Sequence, residues 1–518
     1  MKLGIDFGTT RIVAAASDRG NFPVIYFENP EGGSNDWFPP LLAARGGDIL
    51  FGWEAWAAQQ DPTATVVRSL KRVLADSGAG TTIRIGSRTV PLLELLNGIA
   101  SAFRNALVER STLDLKAGEP LEAMLGVPAH ANSNQRFLTV EAFRSAGFDV
   151  LGLLNEPSAA SIEFGHQHRN TPKIKDRILV YDLGGGTFDA SLVELTEQSH
   201  AVIATESIAS LGGDDFDIVL SEMACPRSDL TQAEMFLLHE ECRLKKESIN
   251  PNTRKVAIDL DAVREGLGTV AIPIGEFYER CGAMLEETLH AVDDLIVNED
   301  SLEAFYVTGG GSELPLVSRA LRERYGRRVR RSAYTRSATA IGLAIQACEQ
   351  SGYVLREQFT RYFGVWRESD NGRVIDFDPL FPKGLELPCA GDPPRRQARH
   401  YEAMHNIGDF RYIECTHLDP AGQPAGDITV WDEIRFPFDP DLKDVAELAG
   451  QPVYYMPLGQ QVEEQYSCDA GGTVMVTISN LTSGYIREYK LGRWAGKEST
   501  VIPGTKKRAP ARKRRATI

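Results

Sequence analysis

Over its first 350 residues the chain alternates short apolar runs with longer stretches in which apolar positions recur every three or four residues. "LLELLNGIASAFRNALVER" (92–110) and "SNQRFLTVEAFRSAG" (133–147) have that helical period, whereas "LGIDF", "RILV" and "FYVT" read as buried strands. Alternation of the two kinds predicts an α/β domain. Beyond residue 350 the helical period fades and short runs bounded by Pro, Gly and Asp replace it. "TVMVTIS", "NLTSG" and "YIREYKL" in succession predict a β-hairpin, with Val474, Val476 and Ile478 on its core face and Thr473, Met475, Thr477 and Ser479 on the other. The expected organisation is an α/β domain over 1–350, a linker over 351–361, a mostly β domain over 362–495 and a basic, disordered tail over 496–518.

A length of 518 residues supports more than one core, and 42% hydrophobic with 25% charged residues is ordinary for a folded chain. No apolar run reaches the ~18 residues of a membrane span. Asp6 interrupts the stretch a signal peptide would need, so a cytoplasmic location is expected. Seven widely spaced cysteines without a C-x-x-C pair point to neither a disulfide framework nor a zinc site. The net charge is −15, and "GTKKRAPARKRR" carries seven basic side chains and no acid, so removing those seven leaves −22 on the rest. An acidic body argues against nucleic acid as the main partner; the tail is open to phosphates, an anionic lipid surface or the protein's own body, and plain solvation is the reading its composition favours.

Glycine clusters change the picture most. In "YDLGGGTFD" (181–189) a strand ends in an acid, three glycines, a hydroxyl and a second acid. Three glycines supply no packing, so their use lies in close approach to the main chain. Backbone N–H groups of such a turn form an anion nest, Thr187 adds a hydroxyl, and Asp182 with Asp189 can hold a metal through its waters. "LGIDFGTTRIVAAA" repeats the plan with Gly8, Thr9 and Thr10, its Asp6 lying 176 residues before Asp182. Two such units suggest a duplicated fold whose hairpins face each other across a cleft suited to a triphosphate. "VTGGGSELP" contributes Gly309, Gly310 and Gly311 at a strand-to-helix turn, where a base or ribose can approach, and "SLGGDDFD" adds Gly212 and Gly213.

The segments "IDFGTT", "VPAHANSNQR", "LLNEPSAA", "VYDLGGGTFDASLVEL", "GGDDFD" and "VTGGGSELP" occur in this order over residues 1–350, and the chain thereby resembles the DnaK-type heat shock protein 70 family. The resemblance implies a two-lobed, actin-like ATPase domain, then a β substrate-binding domain, with ATP/ADP and Mg2+ as cofactors. It implies that Asp6 and Asp182 hold the metal through bound waters, and that Thr9, Thr10, Gly184, Gly185, Gly186 and Thr187 cradle phosphates with Asp189 just behind. Lys71 in "SLKRVL" matches the lysine that reaches the γ-phosphate and attacking water, and Glu156 in "NEP" its acidic partner. Lys246 matches a nucleoside contact. Pro128, Arg136 and Glu156 match a relay from nucleotide state to the outer surface.

The departures gather at the base side. Glu313 stands where the family usually has an arginine that stacks on adenine, and Arg336 where an aspartate is usual; Arg243 and Asn250 also differ from the usual residues. Gly152 replaces an arginine that helps engage J-domain co-chaperones, so neither that partner nor a nucleotide-exchange factor follows from the resemblance. "SGYVLREQFTRYFGV" occupies the place of the acidic, leucine-rich linker, and the 27 basic, Pro/Gly-marked residues after Leu491 are expected to form no helical lid. The expected function is a chaperone-like ATPase of protein folding and stress response, its ATP state modulating capture of an unfolded or specific protein client by residues 362–495. The alternative is a nucleotide-sensing scaffold with little or no hydrolysis. The β domain reads equally as a peptide groove or a plain sandwich.

Overall fold

The computed structural model describes residues 1–61, 63–74, 77, 81–116, 118–168, 176–196, 199–227, 229–296, 302–348, 354–369, 374–388, 392–445, 447–470, 472–491 and 500–501. Apart from Thr500–Val501, the expected basic tail lies outside these residues. The chain divides into two compact units, residues 1–361 with 383–392, and residues 362–382 with 393–518.

The first unit is built on two sheets. In one, β1 (Lys2–Phe7) pairs antiparallel with β2 (Ile12–Ala16) and parallel with β3 (Glu122–Val127), which continues to β4 (Asp149–Asn155). In the other, β5 (Asp176–Leu183) pairs antiparallel with β6 (Phe188–Leu195) and parallel with β8 (Leu302–Thr308); β7 (Ser199–Ile208) lies beyond β6, and β9 (Val329–Arg331) beyond β8. Each sheet thus repeats one plan, a central strand ending in an aspartate and flanked by its hairpin partner and a parallel strand. Parallel pairing needs covering helices. The first sheet is covered by α2 (Leu92–Glu109) and α3 (Ser133–Ser145); beyond the second, α5 (Gly213–Ala224) packs on α6 (Gln232–Glu247) and on α7 (Ile274–Ile296), α7 covers β6 and β7, α8 (Pro315–Tyr325) packs on β9, and the short α1 (Leu70–Val73) and α4 (Glu156–His168) bear site residues. Helix α3 begins where the sequence signals it, since Asn132 and Gln135 cap each other's backbone N–H groups at 2.9–3.0 Å.

Helix α9 (Ala338–Ala347), "ATAIGLAIQA", returns to the first sheet and packs on β1 and α4. Its small residues permit main-chain contact. A Cβ at Gly342 would lie 1.8 Å from the Ala159 carbonyl oxygen, and one at Gly4 would lie 2.1 Å from the Ala344 nitrogen.

The stretch expected as a linker is not a free connection. Strand β10 (Val354–Arg356) adds in parallel to the edge at β7. Residues 383–392, read from "FPKGLELP" as part of the β domain, belong to the first unit: Phe359 N–H donates to the Leu385 carbonyl at 2.9 Å and Leu387 N–H to the Glu357 carbonyl at 2.8 Å.

The second unit has one sheet in the order β12 (Val374–Phe381), β11 (Tyr362–Ser369), β14 (Ile407–Leu418), β15 (Pro424–Pro437), and another in the order β13 (Arg395–His405), β16 (Tyr455–Cys468), β17 (Val474–Asn480), β18 (Tyr485–Leu491), β19 (Thr500–Val501). The predicted hairpin is β17–β18, joined at Asn480↔Tyr485, with Val474, Val476 and Ile478 buried; Ser479, expected outward, is buried too. Between the sheets lies a polar centre. Glu464, fully buried, accepts bidentately from Arg367 at 2.7 and 3.1 Å and from the hydroxyls of Tyr401 and Tyr466. Asp378 accepts from Arg367 and Arg399 at 2.7 Å.

Two outcomes follow from the first unit. Gly342→Ala forces apart main chains already in contact and is expected to cost about 3 kcal/mol, read as a lower urea midpoint. Glu163 on α4 is buried under the Tyr306 hydroxyl, and burial pushes its pKa from 4.5 up to about 7. The folded chain therefore holds this proton more tightly than the unfolded chain, and the group subtracts stability as pH rises from about 4.5 to 7. Glu163→Gln is expected to stabilise the protein by up to about 3 kcal/mol at pH 8 and far less at pH 5, measured by urea unfolding at both.

Candidate functional site

The site forms where the two central strands end. Backbone approaches backbone there so closely that side chains are excluded. A Cβ at Gly185 would lie 2.6 Å from the Thr10 hydroxyl, and one at Gly186 2.7 Å from Thr9. A Cβ at Gly309, whose φ is +82°, would lie 2.3 Å from the Leu183 carbonyl oxygen and 2.4 Å from the Asp182 carboxylate, so both its backbone and its space demand glycine. Gly212 abuts Gly185, while the N–H groups of Gly213 and Asp214 donate to the Gly184 and Gly185 carbonyls at 3.0 and 2.8 Å. The predicted turns are thus assembled into one body.

Around them a cleft is lined by Asp6, Gly8, Thr9, Thr10, Lys71, Glu156, Asp182, Gly184, Gly185, Thr187, Gly213, Lys246, Gly309, Gly310 and Gly311, all expected from sequence. Gly186 and Gly212 do not line it, because Thr9, Arg72 and Gly185 cover them. Lys246 is already committed, its ammonium 2.7 Å from Asp217 and donating to the Gly213 carbonyl at 2.5 Å.

Lys71, deeply buried, donates to Glu156 at 2.6 Å. Burial pulls its pKa down, but Glu156 and Asp6 outweigh burial and hold it above the usual lysine value, so it stays charged. For the acids facing it, the pull of Lys71 is outweighed. Burial, reinforced by Glu156, pushes Asp6 up to about 7, and burial with Glu156, Asp6 and Asp189 raises Asp182 well above the carboxylate range. Neither Asp6 nor Asp182 makes a hydrogen bond or ion pair among the described residues. Two adjoining carboxylates short of positive charge fit a hydrated divalent cation. No three metal-ligating side chains cluster among the described residues.

Asp189 faces away from the cleft. It accepts from Ala129 N–H (3.2 Å) and the Ser207 hydroxyl (2.6 Å) and lies 3.3 Å from His130 Nδ1. Burial raises its pKa, but His130 and Ser207 prevail and hold it low. From Pro128 the contacts continue outward: Arg136 donates to the Asn155 side chain at 2.6 Å, and Asn155 N–H donates to Glu357 at 2.9 Å. Glu357, just after β10, was not foreseen; burial raises its pKa against the pull of Arg136.

Nor was the set of bonds between the two sheets' lobes. Arg11 donates to Glu247 at 2.7 Å, Arg68 pairs with Glu240, the Ser69 hydroxyl donates to Asp214 at 2.6 Å, and Arg72 holds both Asp215 (2.5 Å) and the Gly186 carbonyl (3.1 Å). Ser69 adopts the left-handed φ of +58°, a strained choice for a serine at the start of the helix that carries Lys71. Its bond to Asp214 offsets that strain.

At the base side, the two departures prove to be one. Arg336 donates to Glu313 through two nitrogens at 2.6 and 2.8 Å, so acid and base have exchanged places and a planar guanidinium still lines the cleft. Glu247, ringed by Arg11, Arg243 and Arg336, is held at a pKa of about 2 despite burial.

A family model described as "Hsp70 protein" matches residues 100–359. Among curated proteins, the chaperone protein HscA of Klebsiella pneumoniae (strain 342) is 30% identical over 66% of this chain and 57% of its own length. An HscA homolog of Aliivibrio salmonicida is 31% identical over 67% and 58%, and the chaperone protein DnaK of Mycoplasmopsis agalactiae is 27% identical over 68% and 59%. The chain spans less than three fifths of the length of these relatives.

The Glu313–Arg336 pair is about 28% exposed on each side, which limits its worth. A double-mutant cycle of Glu313→Ala and Arg336→Ala, followed by urea unfolding, is expected to give a coupling of about 0.5–1 kcal/mol that shrinks at high salt.

Proposed function

The chain belongs to the heat shock protein 70 family, and from that premise we propose that it is a Mg2+-dependent ATPase hydrolysing ATP slowly to ADP and phosphate, with nucleotide state modulating protein capture by the second unit. The observation that carries this reading is the Lys71–Glu156 pair at 2.6 Å, facing two aspartates of raised pKa where two glycine hairpins meet. Backbone N–H groups of Thr9, Thr10, Gly185 and Thr187, with the Thr187 hydroxyl, serve as donors to phosphate oxygens. Asp6 and Asp182 would hold a magnesium ion through its waters, and the ion would supply charge neutralisation on the phosphates. Glu156 keeps Lys71 charged and aimed, and Lys71 positions the water that attacks the γ-phosphate. Positioning and electrostatics are what such a transfer requires, so no covalent step on the protein enters.

The contacts from Asp189 through residues 128–131, Arg136 and Asn155 to Glu357 support a route from the cleft to the segment preceding the second unit. Client binding rests on thinner support: edge strand β15 exposes Ile428 and Val430 at 45% and 71%. A cytoplasmic location belongs to this reading; no helix among the described residues is long and apolar enough to cross a membrane. The second reading is a nucleotide-sensing scaffold with little or no hydrolysis.

Single-turnover hydrolysis of Mg·ATP by the full chain and by Lys71→Ala tests the reading, with nucleotide binding measured on the same samples. The substitution is expected to slow phosphate release by about 100-fold or more while leaving nucleotide bound. Tight binding with no phosphate from either protein would sink the ATPase reading and leave the scaffold.

A further inference from the structure

Behind the base side of the cleft lies a second, open concavity of about 1040 Å3 whose character is set by arginine. Residues 319–331, "RALRERYGRRVRR", hold seven arginines and one acid in a chain of net charge −15. Several of these are spoken for: Arg324 pairs with Glu286 and Asp293, and Arg330 with Glu303. Arg319 and Arg322, one turn apart on α8, face the groove together with Arg254, at the entrance to the strand Lys255–Asp259, and Arg331 on β9. Arg254, Arg319 and Arg322 are exposed and have no carboxylate partner among the described residues. Arg319 lies over the ring of Tyr278 at 5.3 Å, which limits its freedom without neutralising it.

The groove's own acids do not cancel this charge. Glu247 is ringed from the cleft side by Arg11, Arg243 and Arg336, and Glu313 is gripped by Arg336 at 2.6 Å, with Arg331 at 3.6 Å. The hydroxyls of Ser318 and Thr253 add neutral donors to the wall. Three unpaired guanidinium forks converging on a concave space suit a compact, multiply charged oxyanion, because each fork can donate bidentately to tetrahedral phosphate. A broad acidic protein surface would instead meet a flat patch.

We propose that this groove is an anion site for a small polyphosphate-bearing molecule, separate from the glycine turns and independent of what the cleft binds. It shares one wall with the cleft. Glu247 lines both, and the contacts Arg331–Glu313–Arg336–Glu247–Arg11 run from the groove to the first hairpin.

The test is calorimetric titration of the full chain with inorganic tripolyphosphate at 150 mM salt, beside Arg319→Ser/Arg322→Ser and Arg327→Ser/Arg328→Ser, the latter removing two exposed arginines that do not line the groove. The groove variant is expected to lose about tenfold or more in affinity, since two charge-assisted forks are removed, while Arg327→Ser/Arg328→Ser stays within about twofold of the parent. Should the groove variant fail to fold, judged by its melting curve, Arg254→Ser carries the same expectation. Absence of binding to the parent, equal binding to the groove variant, or an equal loss in both double variants would overturn the proposal. Binding of poly-glutamate in place of tripolyphosphate would also overturn it, and would point to an acidic protein segment.

Discussion

The centre of the first unit depends on how closely main chain can approach main chain at residues 183–186. Three other segments, carrying Thr9 and Thr10, Gly212 and Gly213, and Gly309 and Gly311, close on that one turn at separations no Cβ would permit. The hairpin is therefore the common neighbour through which the two sheets, the strand-to-helix turn after β8 and the start of α5 are referenced to one another. Fixing them also fixes the ends of β1 and β5, and with them Asp6 and Asp182. The electrostatic problem at the site is a product of this packing, since the contacts that locate the acids also crowd them and shut out water.

What could be read in the sequence was whatever is local. Glycine runs, the acids beside them and the capping signals of α3 each lie within a few residues, and their chemistry restricts the possible readings. Ionic partners far apart in sequence were not readable. Arg11 and Glu247 are separated by 236 residues, Ser69 and Asp214 by 145, and nothing in an isolated arginine or serine names its mate. The base side illustrates the difference well: taken singly, Glu313 and Arg336 looked like the loss of a stacking residue, and only in space do they become an inverted pair. The segment 354–361 was misjudged for a related reason. Edge pairing is decided by the backbone of the neighbouring strand, so a stretch without a strong pattern of its own can still become a strand.

The bonds between the lobes add a kinetic dimension to this arrangement. Arg11, Arg68, Ser69 and Arg72 all hold the opposite lobe by polar contacts that are mostly shielded while the lobes stay together, and whose charged groups water would solvate if they parted. Such contacts suit a closure that must reopen, in a way that an apolar seam would not. The left-handed backbone of Ser69 favours opening as well, because release from Asp214 lets it relax.

The buried Glu464–Arg367 pair gives the second unit something its apolar core does not. Hydrophobic residues accept many neighbours, and two sheets held only by them can slide. In β16 the inward positions Val462, Glu464 and Tyr466 alternate with Glu463 and Gln465, so a shift of one residue would send Glu464 outward and leave Arg367 with Asp378 alone. The carboxylate works as a key that fits one alignment of the strand. The two members are accordingly unequal: drift at Arg367 strands the enclosed Glu464 carboxylate, whereas drift at Glu464 still leaves Arg367 an acid to hold, so the sandwich can give up the acid first.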